Sequence, residues 1–448
     1  MYKYVNFKGN KEKAMGNIIT PKKLQGFMEL DPIKQRQFDQ MQKKIIEVFE
    51  RYSFLPINTP TLEYSEILLA KSGGEIDKEI YRFTKGSTDI CMRYDLTVPL
   101  ARYVAMNLNN LNFPFRRYQI GKVYRGERPQ KGRFREFIQC DADIIGVDNL
   151  SLTNDAECVS LYIDCFNAID LDVIVEVSNR KIVNGLISAL NLNDKAEEIF
   201  KNLDKADKIG HDEFVKNLRD LQIEEKSLQK ILNLSKCKGQ IDEVVKILQK
   251  ICDEEEFLQG VNELKQLDSY LKALGLTEKD YIFNLSIVRG HNYYTGTVFE
   301  AYLKDHRDFG AVGGGGRYDN LASYYTTTKL PGVGMSIGFT RLFDQLASNN
   351  LLPEINTAKT EVIVIPLGDT VNYSLNLCKQ LRDKKIATEI SSENKSFKAK
   401  LKDANKRLIP FVLIVGEDEV NSQNYTLKNM QTGEQFKLTL SEIVEKIK

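Results

Sequence analysis

Arginine occurs on both sides of one glycine-rich turn, first in Tyr124-Arg125-Gly126-Glu127-Arg128-Pro129 and then in Arg133-Phe134-Arg135-Glu136-Phe137. The stretch runs on through Gln139, Asp141 and Asp143. A guanidinium is planar, stays charged and forms paired hydrogen bonds to phosphate oxygens. Arginines before and after a turn on antiparallel strands can therefore clamp a triphosphate from two sides. The same residues also fit a salt-bridged surface hairpin. A second constellation is Gly313-Gly314-Gly315-Gly316-Arg317-Tyr318-Asp319, followed by Gly332-Val333-Gly334-Met335-Ser336-Ile337-Gly338-Phe339-Thr340-Arg341-Leu342. Glycines let a backbone approach a ligand where a Cβ would clash, although a glycine run alone is more often a flexible loop. The second run is more informative: a strand of small residues leads into a helix and delivers Arg341, whose guanidinium can stack on an aromatic base.

Two further stretches carry polar groups of another kind. Arg93-Tyr94-Asp95-Leu96-Thr97-Val98-Pro99 offers a carboxylate and a hydroxyl, the acceptors that an ammonium requires. Arg289-Gly290-His291-Asn292-Tyr293-Tyr294-Thr295-Gly296-Thr297-Val298-Phe299-Glu300 sets an arginine beside two tyrosines, whose phenols can hydrogen-bond a ring nitrogen. An isolated Tyr-Tyr pair fits a core or an interface equally well.

Taken together, these stretches resemble the class II aminoacyl-tRNA synthetases, and the run from Arg289 to Glu300 resembles the histidyl-tRNA synthetases among them. Val123 to Gly146 is similar to their motif 2, Gly332 to Leu342 to their motif 3, and the segment before Pro60 to their motif 1. By that resemblance Arg125 holds the α-phosphate of ATP and the substrate carboxylate, Glu127 contacts the adenine-side amino group, and Arg133 reaches the outer phosphates. Arg341 stacks on adenine and meets the γ-phosphate. Arg289 sits at the α-phosphate, where fixed positive charge stabilises the transition state as pyrophosphate leaves. Asp95 and Thr97 take the histidine ammonium, Gln139 and Asp143 complete the pocket, and Tyr293 and Tyr294 line its imidazole end. Gln130 and Lys131 face the acceptor end of tRNA. The family usually has Leu-Asp where this chain has His291-Asn292, a departure that removes a charge partner for neighbouring arginines.

The resemblance implies ATP-dependent activation of L-histidine to histidyl-adenylate and its transfer to the 3′ end of histidine tRNA, with Mg²⁺ accompanying ATP, in a cytoplasmic homodimer. The alternative is a non-catalytic relative, the histidine-sensing regulatory subunit of ATP phosphoribosyltransferase. Such proteins generally lack the C-terminal domain and lose the ATP-site arginines, whereas this chain keeps Arg125, Arg289, Arg341 and the segment after Thr360.

Elements must carry these residues. Asp31-Pro32 reads as a helix N-cap with proline at the first position. Phe38, Met41, Ile45, Phe49 and Tyr52 then recur at helical spacing, and Leu55-Pro56 to Pro60 ends the helix. Short apolar runs between Ile90 and Gly146, then Asp172 to Val177, Tyr281 to Leu285 and Gly296 to Glu300, predict an antiparallel sheet flanked by helices. The expected architecture is thus an α+β catalytic domain over residues 1–180 and 280–352, interrupted by an all-helical insertion at 181–279. A linker at 353–360 leads to a C-terminal α/β domain at 361–448, in which Glu361 to Ile365 and Phe411 to Val415 are strands. The C-terminal segment resembles the anticodon-binding domain of these enzymes. Lys395, Lys398, Lys400, Lys402, Lys406 and Arg407 form a basic stripe there, with Lys398, Lys402 and Arg407 as candidate tRNA contacts.

Bulk composition narrows the remainder. The 448 residues, 42% hydrophobic and 28% charged, have the profile of globular domains rather than a disordered chain. A formal net charge of +1 means that any RNA surface is a local patch. Seven cysteines without a CxxC pair predict neither a disulfide framework nor a structural metal site. No apolar run has the length of a signal peptide core or a membrane span.

Overall fold

The computed structural model describes residues 19–70, 79–128, 132–288, 294–353 and 360–448. The chain forms two compact units, one of Met1–Glu29 and Phe38–Leu352, the other of Leu30–Gln37 and Pro353–Lys448.

A nine-stranded sheet organises the first unit. In chain order its strands are β1 (Leu55–Pro56), β2 (Phe115–Tyr124), β3 (Glu136–Ile145), β4 (Val173–Asn179), β5 (Lys238–Gly239), β6 (Tyr281–Asn284), β7 (Thr297–Leu303), β8 (Gly313–Tyr318) and β9 (Gly332–Ile337). They lie side by side as β1-β2-β3-β9-β8-β7-β4-β6-β5. The pairs from β2 to β4 are antiparallel, as expected, whereas β1 runs parallel to β2 and β6 parallel to β4. Two of these strands depart from the sequence reading. Leu55-Pro56 does end a helix, but it then joins the sheet as an edge strand, where a missing N–H costs no ladder bond. Lys238–Gly239 interrupts the otherwise helical segment from Arg180 to Ala273 and pairs with β6 at the opposite edge.

Helices cover the sheet. α1 (Pro32–Arg51) starts where predicted, with Asp31 Oδ1 accepting from the backbone N–H of Ile33 at 3.0 Å and of Lys34 at 2.9 Å. Its apolar face buries Phe38, Met41, Ile45, Val48 and Phe49, and the Phe38 ring meets Phe339 edge-on at 4.6 Å. α2 (Thr97–Met106) packs Val98, Ala101 and Val104 into a cluster with Phe115, Ile145 and Tyr318. That packing fixes the chain just before the helix, where Asp95 stands. α3 (Thr153–Ala168) backs the sheet, its Tyr162 ring set against Phe299 of β7 at 6.1 Å. α4 (Arg180–Ala189) and α5 (Glu255–Ala273) cross where Gly185 lies against the Phe257 backbone.

The second unit holds a five-stranded sheet ordered β11-β10-β12-β13-β14, from β10 (Val362–Pro366), β11 (Thr388–Ile390), β12 (Phe411–Val415), β13 (Tyr425–Asn429) and β14 (Gln435–Leu438). β10 is parallel to β11 and β12, and the rest is antiparallel. Apolar clusters fill both faces, Val362, Val364 and Leu413 on one and Ile363, Ile365 and Val412 on the other. Among the described residues no helix is long and apolar enough to cross a membrane.

Candidate active site

Alternation along neighbouring strands brings the polar residues onto one face. In the β2–β3 ladder Arg117 stands opposite Asp143, Gln119 opposite Asp141 and Gly121 opposite Gln139. Side chains of a strand point alternately to its two sides, so these six positions share a face and Cys140, Ala142 and Ile144 take the other. β9 extends the row, placing Gly334 beside Asp143 and Ser336 beside Asp141. A Cβ at Gly334 would lie 2.1 Å from Asp143 Oδ1, so the absence of a side chain there is what admits the carboxylate.

A small cavity of about 50 Å³ opens on this face, lined by Asp95, Thr97, Gln139, Asp141, Asp143, Tyr294, Tyr318 and Ser336, among others. Arg117 is wholly buried, and its Nη2 lies 2.5 Å from Asp143 Oδ2, a charge contact without the alignment of a hydrogen bond. Asp143 Oδ1 accepts from the Tyr318 hydroxyl at 2.7 Å. Asp95 Oδ1 accepts from the backbone N–H of Val98 at 3.1 Å. Gln139 Nε2 donates to Ser336 Oγ at 2.9 Å. These bonds leave four buried acceptors without a hydrogen-bond donor: Asp95 Oδ2, Gln139 Oε1, Asp141 Oδ1 and Asp143 Oδ2. Buried polar atoms are ordinarily paired; Arg117 occupies the space at Asp143 Oδ2, and the other three acceptors around one cavity describe a site for a ligand rich in N–H donors.

Electrostatics point the same way. Burial pushes Asp141 up to about 7 and Asp95 to about 6, and it raises Asp143 too, each from an ordinary 3.8. Arg117 pulls all three down, Asp143 pushes Asp95 and Asp141 up, and Asp95 adds to the push on Asp141. Three carboxyls thus meet in one small cavity, with Arg117 buried among them and Arg125 pulling on Asp95 from the adjoining cleft.

Beside it lies a larger cleft of about 330 Å³, lined by Arg125, Glu127, Arg133, Phe137, Gly313, Gly314 and Arg341, among others. Gln139 and Ser336 line both spaces, so the two share a wall. Arg125 is aimed by its Nε, which donates to the Tyr94 carbonyl at 3.2 Å, and its guanidinium lies 5.1 Å from the Phe137 ring centre. Arg133 reaches Glu127 at 3.2 Å, and Arg341 donates to the Phe309 carbonyl at 2.8 Å. Among the described residues no group of three or more His, Cys, Asp or Glu side chains is placed to hold a metal ion.

The structure thus gathers Arg125, Glu127, Arg133 and Arg341 around one cleft and Asp95, Thr97, Gln139, Asp143 and Tyr294 around the adjoining cavity. Arg289, Tyr293, Gln130 and Lys131 lie outside the described residues. In the second unit, α6 (Phe397–Lys406) exposes Lys398 and Lys402. Arg407 is tied to Glu389, at 2.8 Å through Nη1, and to Asp403, and Lys400 is buried with its ammonium on the Ser391 carbonyl. The basic stripe is therefore narrower than its sequence. Reading the sequence gave no role to Asp141, Arg117, Tyr318 or Ser336. The alternation Gln139, Asp141, Asp143 could have found Asp141. Arg117, Tyr318 and Ser336 become neighbours only through strand register.

The sheet, its glycine-rich strands and the paired cavities have the architecture of class II aminoacyl-tRNA synthetases. Residues 26–342 match the family model for histidyl-tRNA synthetase, and residues 361–448 match an anticodon-binding domain. A histidine–tRNA ligase from Clostridium tetani is 45% identical over 96% of this chain and 99% of its own, and one from Clostridium acetobutylicum is 44% identical over 96% and 100%. The crystal structure of histidyl-tRNA synthetase from Nostoc sp. PCC 7120 superimposes with a TM-score of 0.85 at 34% identity, covering 96% of this chain and 99% of that one. The chain belongs to the histidyl-tRNA synthetase family.

Asp141 makes the electrostatics testable. Between an ordinary 3.8 and about 7 the folded chain keeps the Asp141 proton while the unfolded chain has lost it, so rising pH removes stability across that window and costs nothing further above it. Asp141→Asn removes this penalty. Thermal melting of the ligand-free proteins should find the variant level with the parent near about pH 4 and increasingly more stable up to about pH 7. A difference independent of pH would mean that Asp141 does not carry the buried charge.

Proposed function

We propose that the protein condenses L-histidine with ATP and passes the histidyl group to the 3′ end of its cognate tRNA. The observation that carries this reading is the shared wall: a donor-hungry anionic cavity opens through Gln139 and Ser336 into an arginine-lined cleft. A zwitterionic amino acid and a polyanionic nucleotide would sort themselves between the two by charge alone.

In this arrangement Asp95 and Thr97 take the ammonium of histidine, Asp143 a nitrogen of the imidazole, and Gln139 and Tyr294 close the pocket around it. Tyr293 and Arg289 are assigned to the same site by the family resemblance, Arg289 at the α-phosphate. Arg125 stands beside the cavity, where it can hold the substrate carboxylate against the α-phosphate. Glu127 then meets the adenine-side amino group, Arg133 the outer phosphates, and Arg341 the base and the γ-phosphate. Mg²⁺ enters as part of the ATP substrate. A carboxylate oxygen of histidine attacks the α-phosphorus, the new P–O bond forms as the bond to the β-phosphate oxygen breaks, and pyrophosphate departs. No base is required, because the carboxylate is already ionised at neutral pH. A hydroxyl of the terminal adenosine of tRNA then attacks the activated carbonyl carbon and AMP leaves. Orientation and fixed positive charge supply most of the acceleration.

The remaining assignments follow this reading. Residues 1–180 and 280–352 form the catalytic domain, 181–279 an insertion and 361–448 the anticodon-binding domain. Lys398 and Lys402 are the exposed cations best suited to tRNA phosphates, and Gln130 and Lys131 are assigned to the acceptor end. The cellular site is the cytoplasm. A homodimer is supported by an apolar row across the three-stranded sheet of Leu62–Tyr64, Thr88–Met92 and Arg82–Lys85, where Tyr64, Ile90 and Phe83 are aligned and Leu62, Tyr64 and Phe83 are exposed. Against a histidine-sensing subunit without catalysis stand Arg125, Arg133 and Arg341, all lining the cleft, and the second folded unit.

Purified protein should exchange pyrophosphate into ATP only when histidine is present, and Arg125→Ala should slow that exchange by about a hundredfold or more. Histidine binding without exchange in the parent would select the regulatory reading. Sedimentation should give a dimer for the parent and a monomer for Tyr64→Asp combined with Phe83→Asp. A monomeric parent would remove the dimer assignment.

A further inference from the structure

Tyr294 reaches the small cavity from an irregular segment, Tyr294 to Gly296, that only becomes a strand at Thr297. Something other than regular structure has to hold it there. Its ring lies against β8 where a side chain is missing: a Cβ at Gly316 would come within 3.0 Å of Tyr294 Cδ1. The bare backbone gives the ring a floor, and the apolar cluster that includes Val98, Ala101 and Tyr318 packs beside it.

The backbone that carries this ring is anchored at the next residue. Thr295 donates its backbone N–H to the Arg317 carbonyl at 2.8 Å and its hydroxyl to Asp319 Oδ2 at 2.6 Å. Arg317 is itself immobilised. Its Nε and Nη2 meet the two oxygens of Asp155 on α3 at 3.1 and 2.5 Å, and Nη2 also meets the Ser151 carbonyl at 3.2 Å. Its remaining nitrogen, Nη1, lies 3.9 Å from Asp319 Oδ1. The aliphatic part of Arg317 runs beside Gly296, where a Cβ would come within 3.0 Å of its Cδ. Successive residues of β8 point to opposite faces, so Gly316 meets the pocket while Arg317 faces α3.

We propose that Arg317, Asp155, Asp319 and Thr295 form a positioning device that sets Tyr294, and through it the affinity for histidine, from outside the pocket. The inference rests on the reading that the small cavity binds histidine. None of the four lines that cavity or the arginine-lined cleft, and their charges are spent on one another and on the Thr295 hydroxyl. The device is specific to one substrate, because it ends on the residue beside Tyr294 and touches none of Arg125, Arg133 or Arg341. Thr295 and Asp319 are only partly buried, and a single hydrogen bond there is worth too little to hold the fold. Its loss should loosen Tyr294 and leave the unit standing.

The test is histidine-dependent pyrophosphate exchange by the full-length protein with Thr295 replaced by valine or by serine. Thr295→Val keeps the shape and removes the hydroxyl. It should raise KM for histidine by about tenfold, equivalent to about 1.4 kcal/mol, with KM for ATP within about twofold of the parent. Thr295→Ser restores the donor and should return KM for histidine towards the parent value. Parent-like KM for histidine in Thr295→Val overturns the proposal, as do equal rises for both substrates or a serine variant no better than valine. A parent protein that shows no histidine-dependent exchange overturns the functional reading itself, a result distinct from any of these.

Discussion

Everything at the site depends on burying several carboxylates around Arg117. Arg117 has none of its surface exposed, and Asp141 and Asp143 keep 2% and 3% of theirs. Taking an ion out of water is expensive, and a pair recovers that cost only when geometry and additional hydrogen bonds are favourable. Asp143 recovers the most, with the Arg117 charge across the ladder and the Tyr318 hydroxyl on its other oxygen. Asp95 and Asp141 have much less, and each holds an oxygen without a donor. A core selected for stability alone would not keep them. Their retention makes sense where a cationic ligand completes the charge balance and supplies the missing donors, so the free protein carries strain that binding relieves.

Under the proposed function, the same imbalance separates the two substrates. Carboxylates outnumber the one arginine, Arg117, on the face between β2, β3 and β9, whereas Arg125, Arg133 and Arg341 outnumber Glu127 around the cleft. Gln139 and Ser336 stand at the border, hydrogen-bonded to each other and neutral. On that proposal an amino acid entering with its ammonium towards Asp95 leaves its carboxylate at this border, on the side of Arg125. Reacting atoms are thus brought together by charge sorting before any bond changes, which is where most of the advantage of such a reaction lies.

Much of this was legible from residue types and spacing. The Asp31 cap, the apolar face of α1 and the paired strands around the arginine turn all followed from local rules, because each is decided by residues within a few positions of one another. What escaped was decided across the sheet. Arg117 looks like one more surface arginine in Phe115-Arg116-Arg117-Tyr118 until the register sets it opposite Asp143. Leu55-Pro56 reads as a terminator, and it is one, but only the neighbouring β2 makes it an edge strand. Lys400 and Arg407 belong to a basic run by composition, yet the fold buries one and neutralises the other with Glu389 and Asp403. Charge counted along a sequence overstates the charge that a surface presents.

The glycine-rich strands show why function and stability part company here. Glycine in a strand interior loses more backbone freedom on folding than other residues and contributes no side chain to packing. β8 holds four and β9 two, in the middle of the sheet rather than at its edges. A central position is what makes them tolerable, since ladders on both sides supply the order that the residues themselves do not. In return the floor of the pocket drops to the level of the backbone. Asp143 crosses Gly334 and Tyr294 lies on Gly316 in space that any Cβ would fill. A wall built this way cannot itself grip a ligand, so selectivity has to come from the groups laid across it. The strength with which those groups are anchored, by Arg117 at one end and by Thr295 and Asp319 at the other, therefore sets how sharply the cavity can discriminate.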